Sequence, residues 1–307
     1  MVRIWEEILE YSSISVDDSL FELGVDSTSV IKFVARLATG HGIELPIRQI
    51  FVTPTIRELA SLVSSSETQT SDLSNERMLF NPQGERDRNI FCFPPVVALG
   101  VVYQRLAEFL GSYRLYSFNF LGIEQDRLIA EYIRLIKEVQ PEGPYVFLGI
   151  SAGGNLAFEI TKALEKQGDK VGQLILLDSF YITEINSERL TTEESRKYAK
   201  ETVDIMLEKY PQLQSEGEFF YLHVGEKIQR YYTYLDNLMN SGQVAAHIHV
   251  IKSLQSQSKH IRGDIRMWEH STIGEYSICD GYGDHESMLD ATFVEQNAEL
   301  ILSILGK

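Results

Sequence analysis

A serine flanked by two glycines is the clearest indication of chemistry in this sequence. Residues 145–159 read YVFLGISAGGNLAFE, with Gly149 and Gly153 two positions on either side of Ser151. The apolar run before Ser151 predicts a buried strand, and the apolar spacing after it predicts a helix. A Gly-x-Ser-x-Gly turn between a strand and a helix is typical of a nucleophile elbow, which is too tight for side chains at the glycine positions. An ordinary tight turn is the alternative.

A serine hydroxyl becomes an effective nucleophile only when a base takes its proton and an acid orients that base. Asp178 ends the apolar run QLILLD, so we expect it at the same edge of a parallel sheet as Ser151. His285 lies in the glycine-containing loop CDGYGDHESML, before the last predicted helix. The order serine, aspartate, histidine is the order used by sites of this type. A turn cap is the alternative for Asp178, and a surface loop for His285.

Acyl transfer at Ser151 also requires two backbone N–H donors for the developing oxyanion. The residue after the nucleophile, Ala152, is expected to supply one of them. The other is expected in the loop after an early strand, FCFPPVVALG. Pro94 and Pro95 have no N–H, so the first available donor in that loop is Val96.

A metal site is the weaker interpretation of the remaining histidines. His247 and His249 alternate along a predicted strand and could chelate one ion. Because no third ligand follows at a characteristic spacing, the sequence does not favour zinc, and we predict no metal site.

The elements around these residues fall into two regions. Residues 1–66 have apolar residues at helical spacing and need no strand, which predicts a small all-α bundle. The polar stretch SSSETQTSDLSNE, at 64–76, predicts flexibility, and we place a flexible linker over residues 67–87. From 88 to 307 strand and helix patterns alternate, which predicts a mostly parallel sheet with helices on both faces. The alternation stops at about 181–246, an acidic and tyrosine-rich helical segment that we interpret as a lid.

Composition excludes several classes of function. The formal net charge of −16 over 307 residues argues against nucleic acid and anionic membrane surfaces as partners. The sequence has no apolar run long enough to span a membrane, and its first residues, MVRIWEEILE, do not have the pattern of a signal peptide. Cys92 and Cys279 both lie in apolar segments, which predicts buried, reduced thiols and a cytoplasmic protein.

Four motifs in order, FCFPPV, GISAGGNLAFE, LLDSF and GYGDH, make residues 88–307 similar to a known family. Apart from the lid, this region resembles the type I thioesterase domain that ends nonribosomal peptide synthetases, in particular the releasing domains of cyclic lipopeptide assembly lines. The resemblance implies an α/β-hydrolase fold with a helical lid. It also implies a catalytic triad and an oxyanion hole, formed by Ser151, Asp178, His285, Val96 and Ala152. Ile150 departs from the pattern, because this family usually has tyrosine before the serine.

The first region resembles a second family. SLFELGVDSTSVIKFVARL is similar to the signature of a carrier protein domain around its modified serine, here Ser27. The resemblance implies a four-helix bundle with 4'-phosphopantetheine attached covalently to Ser27. A predicted helix begins at this serine, and a helix N-terminus favours a phosphodiester. A plain helix cap is the alternative for Asp26 and Ser27. The sequence GVDS, in place of GGHS, leaves open whether the carrier loads an amino acid or a polyketide unit.

Together the two resemblances imply the end of a nonribosomal peptide synthetase, possessing upstream condensation and adenylation domains and needing a phosphopantetheinyl transferase. The expected activity is release of a finished peptide or lipopeptide by macrocyclisation, oligomerisation or hydrolysis, as in antibiotic biosynthesis. A hydrolytic editing thioesterase and a non-catalytic docking module are the alternatives. The acidic, aromatic lid favours a neutral or cationic chain.

Overall fold

The computed structural model describes residues 1–53, 55–64, 76–184, 189–254 and 263–306. Most of the predicted flexible stretch 64–76 lies outside the described residues, so its flexibility stays a prediction.

The first region is all-α, as predicted. Its apolar faces meet in a core where Trp5 stacks on Phe33, with ring centroids 4.3 Å apart. The second helix is capped by Asp26, whose carboxylate accepts a hydrogen bond from the Ser29 amide at 2.8 Å. The helices in this region are α1 (Val2–Leu9), α2 (Ser27–His41), α3 (Ile47–Val52) and α4 (Ile56–Ser64).

The second region is built on a seven-stranded sheet with the strand order β1-β3-β2-β4-β5-β6-β7. Only β1 is antiparallel to its neighbour, so the predicted mostly parallel sheet is confirmed. Every residue of β2 is buried, as the continuous apolar run NIFCF requires. The strands are β1 (Arg77–Phe80), β2 (Asn89–Phe93), β3 (Arg114–Phe118), β4 (Tyr145–Ile150), β5 (Val171–Leu177), β6 (His247–Lys252) and β7 (Tyr276–Asp280).

Helices cover the sheet in two groups: α6 packs against α7, and α5 packs against α11. The helix after the elbow, α7, also contacts the three central strands. These helices are α5 (Gln104–Phe109), α6 (Gln125–Lys137), α7 (Ala152–Lys166) and α11 (Val294–Leu305).

The helical segment that we interpret as a lid, and call the lid below, is inserted between β5 and β6, as predicted. Its two long helices, α8 (Thr192–Lys209) and α10 (Gly225–Asp236), pack against each other. A 3₁₀ turn (Pro211–Glu216), the short helix α9 (Gly217–Phe219) and a π-helical segment (Phe220–Val224) connect them. Helix α2 of the first region contacts the 3₁₀ turn and α9, so the two regions meet at the lid.

Two sequence expectations were wrong in detail. The predicted linker extends too far, because Arg77–Phe80 is an edge strand that pairs with β3. Cys92 is buried, and burial raises the pKa of its thiol well above the ordinary value, but Cys279 is exposed. Cys279 lies on β7, at the edge of the sheet, where four of the five residues are exposed.

Among the described residues, none of the helices has both the length and the apolarity that crossing a bilayer requires.

Candidate active site

The turn between β4 and α7 has the geometry of a nucleophile elbow. Ser151 has φ 53° and ψ −127°, a conformation that non-glycine residues rarely adopt. A Cβ on Gly149 would lie 2.4 Å from the Gly154 amide nitrogen, and one on Gly153 would lie 2.2 Å from the Phe93 carbonyl oxygen. These close approaches explain why the turn requires both glycines. The tight turn holds Ser151 at its tip in a strained backbone conformation.

The three residues expected to cooperate are joined by hydrogen bonds, although they are far apart in the sequence. His285 Nδ1 lies 2.7 Å from Asp178 Oδ2, and His285 Nε2 lies 3.0 Å from Ser151 Oγ. An ionised carboxylate can only accept, so Nδ1 carries the proton and Nε2 is left to accept from the serine hydroxyl. The arrangement is therefore suited to transferring the Ser151 proton to His285.

Asp178 is fully buried at the end of β5. Burial raises the pKa of its carboxyl group, but hydrogen bonds from His285 and Ser253 outweigh burial, so the pKa lies below its ordinary value. Ser253 donates twice at 2.9 Å, from its amide to Oδ1 and from its hydroxyl to Oδ2. Asp178 is thus kept ionised and held in position. Ser253 belongs to no motif in the sequence, and its position just after β6 was the available signal.

The two expected oxyanion donors, Val96 and Ala152, both line the cavity that contains Ser151. Within the described residues, neither backbone amide has a hydrogen-bond acceptor. Ala152 is the first residue of α7, where the N–H groups of a helix have no partner in the helix itself. Both amides are therefore available to an oxyanion, and their role stays a proposal.

The cavity around Ser151 has a volume of about 910 Å³. The lid supplies much of its wall, including Tyr198, Met206 and Tyr232. Thr28 and Ile31, at the start of α2, also line it. The end of α2 that carries Ser27 thus borders the cavity in which Ser151 and His285 lie. Ser27 is the first residue of α2, as expected.

A lid tyrosine holds the loop that carries Val96. The hydroxyl of Tyr231, on α10, donates to the Pro94 carbonyl oxygen at 2.8 Å. The Tyr231 ring is fully buried and stacks on Phe120, with centroids 4.0 Å apart and an interplanar angle of 10°. The lid and the loop after β2 are therefore joined directly. The tyrosine-rich composition of this segment is visible in the sequence, but it does not distinguish Tyr231 from its neighbours.

We expect Tyr231→Phe to lower the free energy of unfolding by about 1 kcal/mol, because the Pro94 carbonyl loses its donor while the ring packing is kept. Hydrolysis of a soluble thioester should also slow, since the Val96 amide is less firmly placed. Thermal unfolding and steady-state kinetics would measure the two effects. Tyr221→Phe is the matched control, because it also removes a tyrosine hydroxyl from the lid, but the hydrogen bond lost there, to Asp204, is exposed. Equal effects of the two substitutions would contradict the assigned role.

The histidines considered for a metal have other partners. His249 nitrogens lie 2.6 Å from Ser277 Oγ and 2.7 Å from Gln173 Oε1. His247 Nδ1 accepts from the Glu275 amide at 2.8 Å. In the part of the chain that the structure describes, no group of three or more histidine, cysteine, aspartate or glutamate side chains could hold a metal ion.

These features define a class of protein. A mostly parallel sheet, a strained serine between strand and helix, a hydrogen-bonded histidine and aspartate, and a helical lid together characterise a serine hydrolase with the α/β-hydrolase fold. The chain belongs to the thioesterase domain family, whose pattern matches residues 88–304, and residues 1–63 match the phosphopantetheine attachment site family. The two resemblances seen in the sequence are confirmed.

Several known proteins are similar to this chain along its whole length. Bacitracin synthase 3 of Bacillus licheniformis is 34% identical over 100% of this chain, which matches 5% of the synthase. Surfactin synthase subunit 3 of Bacillus subtilis (strain 168) is 34% identical over 100% of this chain and 23% of the subunit. This chain therefore spans only a small part of these relatives.

A solved structure supports the fold. The thioesterase domain that cyclises the lipopeptide antibiotic surfactin superposes with a TM-score of 0.64. The two sequences are 32% identical, and the alignment covers 77% of this chain and 98% of the solved domain. The α/β-hydrolase fold and the thioesterase class are therefore established for the second region.

Proposed function

We propose that this chain releases the finished product of a nonribosomal peptide synthetase. The observation that carries the proposal is the cavity, which is bordered both by Ser151 and His285 and by the start of α2. A carrier that delivers a chain and a serine that accepts it thus share one site. The similarity to bacitracin and surfactin synthases supports the same function.

The residues of the site are arranged for two successive acyl transfers. Ser151 Oγ attacks the thioester carbonyl while His285 Nε2 takes its proton, and the amides of Val96 and Ala152 stabilise the oxyanion. The C–S bond breaks, and His285 gives its proton to the departing thiolate, which leaves as the thiol while an ester remains on Ser151. A hydroxyl or amine of the chain, or water, then attacks the ester and gives its proton to His285. The C–Oγ bond breaks and the proton returns to Ser151.

The carrier region fits the phosphopantetheine group implied by its family. Ser27 begins a 15-residue helix, and Asp26 caps only the Ser29 amide, which leaves earlier first-turn N–H groups for a phosphodiester. When bound, the group presents the acyl chain as a reactive thioester on a long arm. Thr28 lies on the cavity wall, which supports entry of such an arm beside the start of α2.

Cyclisation is favoured over hydrolysis when water is kept out of the site. The lid and α2 form much of the cavity wall, and they contribute aromatic and aliphatic side chains such as Tyr198 and Ile31. An editing enzyme that serves only other proteins' carriers is less consistent with a carrier built into the same chain. The hydrogen-bonded Ser151, His285 and Asp178 oppose a purely non-catalytic docking role.

The remaining partners are part of the proposal. The relatives are much longer synthetase subunits, which supports upstream condensation and adenylation domains, and a phosphopantetheinyl transferase is needed to prime Ser27. The cytoplasmic location expected from the cysteines stays a prediction.

The direct test of the function uses a synthetic peptidyl thioester. We expect the protein to convert it into cyclic or hydrolysed product, identified by mass spectrometry. Absence of any product with several thioesters of different length would contradict the proposal.

The carrier assignment gives a separate prediction for Ser27. Incubation with coenzyme A and a broad-specificity phosphopantetheinyl transferase should add one phosphopantetheine, measured by intact-protein mass spectrometry. Ser27→Ala should abolish the addition. Ser29→Ala is the matched control, since it removes a serine hydroxyl from the same helical turn and should still be modified. Modification that persists in Ser27→Ala would refute the site.

A further inference from the structure

One ion pair joins the carrier to the lid. Arg36, on α2, donates from Nε to Glu216 Oε1 at 3.0 Å. The same guanidinium contacts Glu7 of the carrier at 3.2 Å. The two carboxylates differ in environment, because the Glu216 side chain is 6% exposed and that of Glu7 is 68% exposed. Because Glu216 is buried, losing its ion pair with Arg36 would cost more free energy than losing the pair with the exposed Glu7.

Glu216 lies at the end of the 3₁₀ turn of the lid, where α2 packs. It also accepts a hydrogen bond from the Ser215 hydroxyl at 2.9 Å. Within the described residues, the positive partner of Glu216 is Arg36. A buried carboxylate is unfavourable without a positive partner. The lid thus has a negative charge that is matched when the carrier docks.

The ion pair lies well away from the end of α2 that borders the cavity. Arg36 is nine residues after Ser27, which corresponds to about 14 Å along a helix. Near the other end, Thr28 and Ile31 line the cavity together with Ser151. Contacts at two points along α2 fix its direction as well as its position. Pairing of Arg36 with Glu216 therefore accompanies the placement of the attachment end of α2 at the cavity wall.

We propose that Glu216 is the residue by which the lid recognises the carrier of its own chain, through Arg36. A carrier with a neutral or acidic residue at this position of α2 would bury Glu216 without a counter-charge when it docks, and it is rejected for that reason. The proposal rests on the proposed release function and specifies which carrier the enzyme accepts.

The test compares two substrates with one set of variants. The first substrate is an acyl chain loaded on Ser27, whose discharge is followed by intact-protein mass spectrometry. The second is the N-acetylcysteamine thioester of the same acyl group, which needs no carrier. We expect Arg36→Glu and Arg36→Gln to slow discharge of the loaded chain roughly tenfold or more, and to leave turnover of the soluble thioester unchanged.

Two further variants separate recognition from packing. The double variant Arg36→Glu with Glu216→Arg restores the pair with its charges exchanged, and it should recover most of the lost discharge rate. Glu7→Gln is the matched control, since it removes the exposed partner of the same arginine and should discharge at close to the wild-type rate. Small-angle scattering of the unloaded full chain should show a larger radius of gyration for Arg36→Glu and a return toward wild type in the double variant.

The outcomes are distinct. Discharge of the loaded chain by Arg36→Gln at the wild-type rate would overturn the proposal. So would a double variant no better than Arg36→Glu, because Arg36 would then act through packing alone. If wild-type protein turned over neither substrate, the release function itself would fail, and the recognition proposal with it. If the Arg36 variants turn over the soluble thioester at the wild-type rate but discharge the loaded chain slowly, the result supports both the release function and the recognition of the carrier through Arg36.

Discussion

Ser151→Ala should reduce product release by about 10⁵- to 10⁶-fold, the scale seen when a catalytic serine of this type is removed. The variant lacks the hydroxyl that lies 3.0 Å from His285 Nε2, so no ester can form on the enzyme. The fold should persist, because Gly149 and Gly153 permit the turn and alanine is no larger than serine. A chain loaded on Ser27 would then remain there as a thioester.

Intact-protein mass spectrometry of the loaded variant measures this result directly. Ser303→Ala, which removes an exposed hydroxyl on α11, is the matched control and should release its chain at the wild-type rate. A serine-reactive fluorophosphonate should label the control and spare Ser151→Ala. Discharge by Ser151→Ala at the wild-type rate would show that Ser151 is not the nucleophile.

His285→Ala should be nearly as inactive, with a loss of about 10⁵-fold or more, because no other base is bonded to Ser151 Oγ among the described residues. Asp178→Asn should keep somewhat more activity, with a loss of about 10⁴-fold, since the base remains but is no longer held in the correct tautomer. Both losses should appear in kcat for a soluble peptidyl thioester.

The control for the histidine is His270→Ala, which changes an exposed histidine at the end of the 3₁₀ segment Ile265–Ser271. It should leave kcat unchanged. Circular dichroism should show the same fold for all the variants. If His285→Ala kept more activity than Asp178→Asn, the assignment of His285 as the base would be wrong.

The elbow was predictable because its information is local. The strand, the tight turn and the helix lie within 22 consecutive residues, Tyr145–Lys166. Gly149 is required by a contact within the turn, and Gly153 by its close approach to the Phe93 carbonyl oxygen at the end of β2. Asp178 and His285 are not local to Ser151, but a parallel sheet brings the ends of its strands to one edge. The chain order and the expected topology were therefore enough to select them from the other acids and histidines.

Exposure at the edges of the sheet was less predictable. Cys279 lies in a run of residues that resembles a buried strand, yet β7 is the last strand in the sheet and is largely exposed. Arg77–Phe80 follows a polar stretch and became a strand by pairing with β3. An apolar pattern predicts that a strand forms, whereas the exposure of its side chains depends on which elements pack on each side of it.

The sequence by itself therefore determined the two regions, the strand–turn–helix of the elbow, and the choice of Asp178 and His285 as the residues that meet Ser151, because each depends on a local pattern or on a general rule of topology. Only the tertiary structure decided which residues support them. Ser253 reaches Asp178 across 75 positions, Tyr231 reaches Pro94 across 137, and Arg36 reaches Glu216 across 180. Single hydrogen bonds of this kind leave no periodicity or motif in the sequence, since they depend on how separate elements pack, and packing is fixed only when the whole chain has folded.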